Sequence, residues 1–170
     1  MKKIYSSLFA LCVLLSSLAC AKVYDCFPFC DELELLHMRL SELDPHVDYF
    51  VLVESVQTQR GNPKPLHFQN NKALFHNYLH KIIHVMVQKG IPKEGDWERE
   101  HYQRDCIREG LVKCQDDDLI LISDLDEIPR PEAIAELKRL LKENYKKNKK
   151  NKQRELKAYA LEQDLFLLSS

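Results

Sequence analysis

The fold class is decided by the stretch LILISDLDEIPRP, which spans residues 119–131. Its four leading aliphatic residues are predicted to be buried and to form an apolar strand at 119–123, as in parallel sheets. Acidic residues follow at the carboxyl end of this strand, where open parallel sheets bind their ligands. A helix is predicted to begin at Pro131, because proline is favoured in the first turn of a helix, and to continue to about Glu143.

Outward from this stretch, strand and helix patterns alternate along the chain. Further strands are predicted at 22–29, 47–54 and 81–87, where apolar, β-branched and aromatic residues dominate. The segment 57–65 contains Gly and Pro and is predicted to be a loop. Strands that alternate with helices predict an α/β fold with a mainly parallel sheet and flanking helices.

Two more helices are predicted between these strands. The first follows Asp31, which would cap it together with Glu34 in a capping box, and it would end at Asp44-Pro45. The second covers residues 97–113, with Asp96 as its cap.

Composition excludes some classes of partner and of phosphate site. The 170 residues include 25 Lys or Arg against 26 Asp or Glu, a net charge of −1. This balance gives no electrostatic argument for a nucleic-acid partner. With only 4 glycines, the chain contains no glycine-rich phosphate loop. A bound nucleotide would therefore be held by side chains, a metal ion or a helix end.

Residues 1–21 have the pattern of a targeting segment. Two lysines precede the uncharged run Ile4–Ala19, which is shorter than the roughly 20 residues that span a bilayer. Ala19-Cys20-Ala21 supplies a small-residue cleavage pattern. We predict a signal peptide or a short signal anchor, followed by one domain at 22–170 in a secretory, exported or membrane-associated protein. Lipidation of Cys20 is the alternative.

The cysteines and histidines leave several interpretations open. Four cysteines follow the targeting segment, and an oxidising compartment would allow them to form disulfides in three pairings or to stay free. His76, His80 and His84 are spaced by four residues, as on one helix face. Because His84 lies in a predicted strand, the three would not converge, and we interpret them as ordinary imidazoles.

The acidic residues after the strand at 119–123 predict a metal site. On an extended backbone, Asp124 and Asp126 point to the same side and would reach one cation. Carboxylate oxygens suit Mn²⁺ or Mg²⁺, which keep open positions for substrate phosphates. The alternative is an acidic turn that caps the helix after Pro131.

The C-terminal part is basic and then apolar. Residues 142–157 carry eight Lys or Arg against two Glu and are predicted to be a solvated loop or helix face. Residues 156–168 predict one more strand, after which no closing element follows, so the domain is expected to be incomplete.

Ordered blocks across residues 22–141 resemble glycosyltransferase family 17, the β-1,4-mannosyl-glycoprotein N-acetylglucosaminyltransferase type. The blocks are VYDCFPF at 23–29, ELELL at 32–36, Arg39-Leu40, VDYFVLVE at 47–54, Thr58 and Gly61, KPL at 64–66, KII at 81–83, Trp97 and Glu100, YQRD at 102–105, and DLILISDLDEIPRP at 118–131. The family pattern continues beyond these blocks.

The resemblance implies a GT-A-like, Rossmann-like fold and an inverting transfer. N-acetylglucosamine would move from UDP-GlcNAc to a mannose of an N-linked-type glycan with β-1,4 linkage, in the Golgi lumen of a eukaryote. Asp124 and Asp126 are implied to hold Mn²⁺ or Mg²⁺. The implied nucleotide-sugar contacts are Glu54, Arg104, Asp105 and Asp124. Arg104 would alternatively pair with Glu100 along a helix, and no catalytic base is named.

Two other functions stay open at this point. A truncated remnant would bind the UDP-sugar and metal without turnover. A haloacid-dehalogenase-type phosphatase would use Asp124 as nucleophile and Asp126 as acid/base, although that motif usually has Thr or Val where this chain has Ile128.

Overall fold

The computed structural model describes residues 21–93 and 95–151, and it confirms the α/β prediction. Four strands form one sheet in the order β3-β2-β1-β4, and every pair is parallel. The strands are β1 Val23–Phe29, β2 Tyr49–Ser55, β3 Ile82–Val87 and β4 Leu119–Ile122. The predicted strand at 156–168 and all of the predicted targeting segment but its last residue lie outside the described residues. Within the described ranges, no helix is both long and apolar enough to cross a membrane.

The helices lie on both faces of the sheet. One core layer joins Phe27, Phe50 and Leu121 to apolar residues of the helices that follow β1 and β4. The other joins alternate residues of β1 and β2, such as Tyr24 and Val51, and residues of β3 to the helical segment before β4. The helices are α1 Leu33–Leu43, α2 His67–Asn70, α3 Asp96–Asp105, α4 Ile107–Gly110 and α5 Pro131–Asn151, with a 3₁₀ turn at Lys72–Phe75.

The start of α1 differs from the predicted capping box. The N-cap residue is Glu32, and its side chain makes no cap hydrogen bond to the helix. Its carboxylate instead accepts the backbone N–H groups of Cys30 and Asp31, at 3.3 and 3.0 Å. The prediction that Asp31 caps the helix with Glu34 is therefore wrong, because the turn that leaves β1 places Asp31 one residue too early. The predicted end of the helix before Pro45 is confirmed.

The predicted helix at 97–113 is two helices. α3 ends at Asp105 and α4 begins at Ile107, with Cys106 buried between them. Gly110 in α4 packs directly on Val51, so that a Cβ there would clash with the valine side chain. The predicted cap is also wrong, since Gly95 with a φ of 82° precedes the helix. This conformation favours glycine.

Two further differences concern β4 and α5. Among the described strands, β4 lies at the edge of the sheet, and Ile120 and Ile122 are 41% and 55% exposed, so the prediction that all four aliphatic residues are buried is wrong. Its outer face has no covering helix among the described residues. α5 continues to Asn151. The first part of the basic segment is therefore helical, and residues 152–157 lie outside the described residues.

Parallel pairing brings the carboxyl ends of the strands to one edge. β1 pairs with β2 up to Phe29 and Glu54, and with β4 up to Cys26 and Ile122. The segments that follow β2 and β4 therefore begin at the same edge of the sheet, and β1 lies between them. The residues predicted to form the site lie at this edge.

Candidate functional site

The segment Ser123–Glu127, here called the acidic turn, follows β4. The Glu127 N–H donates to the Asp124 carbonyl at 3.1 Å, which closes a tight turn. The predicted extended backbone across Asp124 and Asp126 is therefore wrong. Leu125 is 7% exposed and packs into the core, while both aspartates are exposed. The turn thus buries its apolar residue and leaves its two acids at the surface.

Arg104 of α3 reaches the acidic turn. Its Nη2 donates to Asp124 Oδ1 at 2.5 Å, and its Nη1 donates to Glu100 Oε1 at 3.1 Å. The helix pair with Glu100 is confirmed, and the same side chain also lies beside Asp124. Burial lowers the pKa of Arg104, but the hydrogen bond from Arg104 to Asp124 and the charge of Asp124 together outweigh this effect. The pKa of Arg104 therefore lies above its ordinary value. The guanidinium is a permanent cation at this edge.

Two other acidic residues near this edge, Glu127 and the predicted contact Asp105, have different partners. The Glu127 carboxylate accepts the Asp124 N–H at 3.2 Å and so belongs to the turn itself. The Asp105 carboxylate lies 3.9 Å from Arg108, and both side chains are largely exposed. The structure brings Arg104 to the acidic turn, whereas Asp105, at the end of α3, lies beside Arg108 of α4.

Glu54, predicted to contact the nucleotide, is completely buried. Its Oε1 accepts the Phe68 N–H at 2.8 Å, and its Oε2 accepts the Gln69 N–H at 3.4 Å and lies 3.0 Å from His84 Nε2. Lys64 Nζ lies 3.9 Å from the carboxylate. Both oxygens therefore hold the start of α2, and the arrangement presents no oxygen of Glu54 at the surface.

The pKa of Glu54 reflects these contacts. Burial raises the pKa of a carboxyl group, but the hydrogen bonds from His84 and Phe68 and the charge of Lys64 outweigh it. The pKa of Glu54 lies below its ordinary value of 4.5. Glu54 is therefore a buried anion that organises the loop after β2.

Arg39 of α1 is a central residue that sequence reasoning did not assign to the site. Its side chain and that of Asp25 in β1 are both 0% exposed, and they form a bidentate ion pair with two contacts of 2.8 Å. The remaining donors reach the acidic turn. Nη1 lies 2.7 Å from the Asp124 carbonyl, and Nη2 lies 2.7 Å from Ser123 Oγ. The backbone of the turn is thus fixed from inside the protein.

A signal for this pair is present in the sequence. Arg39 occupies the apolar face of α1, where Leu36, Leu40 and Leu43 are fully buried. Asp25 lies in the middle of the apolar strand β1. A cation and an anion that interrupt two apolar patterns predict a buried pair, because an unpaired charge is rarely tolerated in a core.

A family model described as Glycosyltransferase family 17 matches residues 9–152. The chain belongs to glycosyltransferase family 17. Three curated relatives, from Homo sapiens, Rattus norvegicus and Mus musculus, are each named beta-1,4-mannosyl-glycoprotein 4-beta-N-acetylglucosaminyltransferase. They are 32%, 32% and 31% identical over 115 residues, which cover 63% of this chain and 22%, 21% and 21% of the relatives. The chain spans about a fifth of their length. No solved structure matches.

The carboxylate oxygens of the acidic turn are of the type that binds hard divalent cations. Asp124 and Asp126 supply exposed carboxylate oxygens, the ligand type that Mn²⁺ and Mg²⁺ prefer. Within residues 21–93 and 95–151, no group of three or more His, Cys, Asp or Glu side chains is arranged to hold a metal. Asp124 and Asp126 would therefore supply only part of the ligands of such a cation.

A cavity of about 370 Å³ lies at the opposite, amino edge of the sheet. It is lined by the first residues of β2 and β3, Tyr49 and Ile82, together with Gly110 and Glu109. Glu109 is the one carboxylate among its described lining residues. The carboxyl edge, which has two exposed aspartates and a guanidinium that contacts one of them, is the better candidate for a metal and diphosphate site.

Proposed function

We propose that this chain takes part in an inverting, metal-dependent glycosyl transfer. N-acetylglucosamine would move from UDP-GlcNAc to a mannose of an N-linked-type glycan through a β-1,4 linkage. Membership of family 17 and the names of the three relatives support the reaction class. The observation that carries the proposal is the acidic turn at the carboxyl edge, with Arg104 beside it.

The residues of the acidic turn and those near it would have different roles in binding the donor. Asp124 and Asp126 would hold Mn²⁺ or Mg²⁺, which when bound neutralises charge on the donor diphosphate. Arg104 would keep Asp124 oriented and present a second positive charge to the phosphates. Glu54 would act through the loop it holds after β2, and Asp105 is retained as a nucleotide-sugar contact of the same helix. The proposed GT-A-like assignment places the donor at this edge.

The proposed compartment follows from the substrates and the N-terminal segment. A donor UDP-sugar and a glycoprotein acceptor meet in the lumen of the secretory pathway, the Golgi in a eukaryote. Residues 1–21 would deliver the chain there as a signal peptide or would anchor it to the membrane.

The first experiment measures donor binding by calorimetry, with and without Mn²⁺. We expect wild-type protein to bind UDP-GlcNAc in the presence of the metal, and Asp124→Asn plus Asp126→Asn to weaken this binding at least tenfold, on the order of the 1.4 kcal/mol that a tenfold change represents. Unchanged affinity in the double variant would remove the assignment of the acidic turn.

A matched control uses Glu42→Gln plus Glu109→Gln. This pair removes the same charge from two exposed carboxylates, one at the end of α1 and one at the amino-edge cavity. We expect its affinity for UDP-GlcNAc to equal that of the wild type. An equal loss in both double variants would show that net charge, and not the acidic turn, governs binding.

Transfer itself needs a separate assay. Mass spectrometry of a mannose-containing glycopeptide incubated with UDP-GlcNAc and Mn²⁺ would show the added sugar. Binding without a mass increase would identify a protein that binds the donor without turnover. Hydrolysis of a phosphomonoester without any binding of UDP-GlcNAc would favour the phosphatase.

A further inference from the structure

We propose that the buried ion pair of Arg39 and Asp25 is a positioning unit for the acidic turn, which sets the directions of Asp124 and Asp126 for metal binding. This inference rests on the proposed function of the turn. It concerns residues that do not touch a ligand, because both side chains are completely buried. They would act through the backbone of the turn.

The contacts of the guanidinium show how this would work. Arg39 meets six acceptor atoms, two of them on Asp25. The other four belong to the acidic turn, at distances between 2.7 and 3.2 Å: the carbonyls of Asp124, Leu125 and Glu127, and Ser123 Oγ. Three carbonyls of a five-residue segment therefore point inward to one cation. The direction of each aspartate side chain follows from the backbone that these contacts hold.

The electrostatics explain why the cation is paired. A guanidinium removed from water is stable only with a counter-charge and with its hydrogen bonds satisfied. Asp25 supplies the counter-charge from β1, while α1 supplies the arginine and the segment after β4 supplies the carbonyls. One cluster thus joins three elements of the fold at the carboxyl edge.

The planar shape of arginine is required here. Its five donors lie in a fixed fork, which allows two parallel bonds to a carboxylate and others in different directions. A lysine has three donors on one nitrogen and cannot reach both Asp25 oxygens and several carbonyls at once. Arg39→Lys keeps the positive charge and much of the side-chain volume, but it removes the planar arrangement of five hydrogen-bond donors. This substitution therefore tests positioning separately from charge.

The experiment compares Arg39→Lys with Leu43→Ala in the full chain. Leu43 lies one turn further along α1 and is equally buried in the core. Both variants lose packing of the same helix. The Leu43 side chain packs in the core but, being a hydrocarbon, donates no hydrogen bond to the acidic turn. Urea unfolding establishes conditions in which both are folded. Electron paramagnetic resonance then measures the Mn²⁺ affinity of each variant in the presence of UDP.

We expect Arg39→Lys to weaken Mn²⁺ binding at least tenfold and Leu43→Ala to leave it within twofold of the wild type. Equal affinities in the two variants would overturn the positioning role, because a loss of stability would then be the whole effect. A wild-type protein that binds no Mn²⁺ with UDP would instead overturn the proposed function, so the two failures are distinguishable.

A milder variant keeps the test decisive if Arg39→Lys does not fold. Ser123→Ala removes one acceptor of Arg39, and with it the hydroxyl that donates to the Glu127 carbonyl at 3.1 Å. Its control is Ser41→Ala, which removes an exposed hydroxyl bonded to the Met38 carbonyl of α1. We expect a two- to fivefold loss of Mn²⁺ affinity in Ser123→Ala alone. No loss would overturn the proposal.

Discussion

Two buried charges organise the carboxyl edge of the sheet in opposite ways. Arg39 is a cation that gathers backbone carbonyls of the segment after β4. Glu54 is an anion that accepts hydrogen bonds from backbone N–H groups in α2, those of Phe68 and Gln69. Both are 0% exposed. Each fixes a loop from beneath, with the sign of charge that suits the backbone groups turned toward it.

The two clusters differ in how the central charge is balanced. Arg39 faces a full opposite charge on Asp25 at 2.8 Å. Glu54 has His84 at 3.0 Å, Lys64 only at 3.9 Å, and backbone dipoles for the rest. The first cluster therefore depends on one strong pair, whereas the second distributes its charge over several weaker partners. Removing one partner is expected to be more damaging in the first cluster.

The largest effect is expected from Asp25→Asn. This change leaves the Arg39 guanidinium buried without a counter-charge, and breaking a buried pair in this way costs about 3–5 kcal/mol of unfolding free energy. Equilibrium urea unfolding measures the loss. The matched control is Asp48→Asn, because Asp48 is exposed and accepts only the Val23 N–H in the described structure. A comparable loss in both variants would contradict the special role of the buried pair.

A smaller loss is expected from Glu54→Gln, about 1–3 kcal/mol at pH 7, because glutamine keeps one acceptor and places an amide donor against a backbone N–H or the His84 ring. The pKa of Glu54 is lower in the folded state than its ordinary value of 4.5. Its ionised form therefore stabilises the fold above that value, and this stabilisation is lost as the pH falls through the lowered pKa.

The difference in stability between wild type and Glu54→Gln should consequently shrink below about pH 4.5, the ordinary value for this group. Urea unfolding at neutral pH and at two acidic pH values measures this trend. Glu42→Gln, which changes an exposed carboxyl of α1, serves as the control. A difference that stays constant with pH would show that folding does not lower the pKa of Glu54, and would contradict the stabilisation of its ionised form.

The comparison also shows where sequence reasoning reached its limit. The parallel α/β fold can be predicted from local patterns, because the hydrophobic periodicity of each strand and helix is visible within about ten residues. The turn at Asp124 cannot be predicted in this way. Its backbone is not extended, and Leu125 packs in a core formed with residues that are distant in the sequence. The Arg39 cluster joins residues 14 and 84 to 88 positions apart. Only the folded sheet brings them together.

The positions of Arg104 and Glu54 were partly predictable from the sequence. Arg104 hydrogen-bonds to Asp124, which follows β4 at the carboxyl edge, where open parallel sheets bind their ligands. Glu54 was placed at the right strand end, but its partners come from Phe68 and His84, which local patterns do not connect with it. The position of Glu54 along its strand was predictable from the sequence, whereas the partners of its buried carboxylate were not.

The smallest effect on stability is expected from Arg104→Gln. Asp124 is 51% exposed and Arg104 is 35% exposed, and pairs of this kind contribute about 0–1 kcal/mol. Calorimetry should nevertheless show weaker binding of UDP-GlcNAc with Mn²⁺, since the proposed function places the guanidinium beside the diphosphate. The control is Arg108→Gln, which removes an exposed guanidinium of α4 that lies 3.9 Å from Asp105. If Arg104→Gln instead cost as much stability as Asp25→Asn, the acidic turn would be held from its outer side as well, and Arg39 would not be its principal anchor.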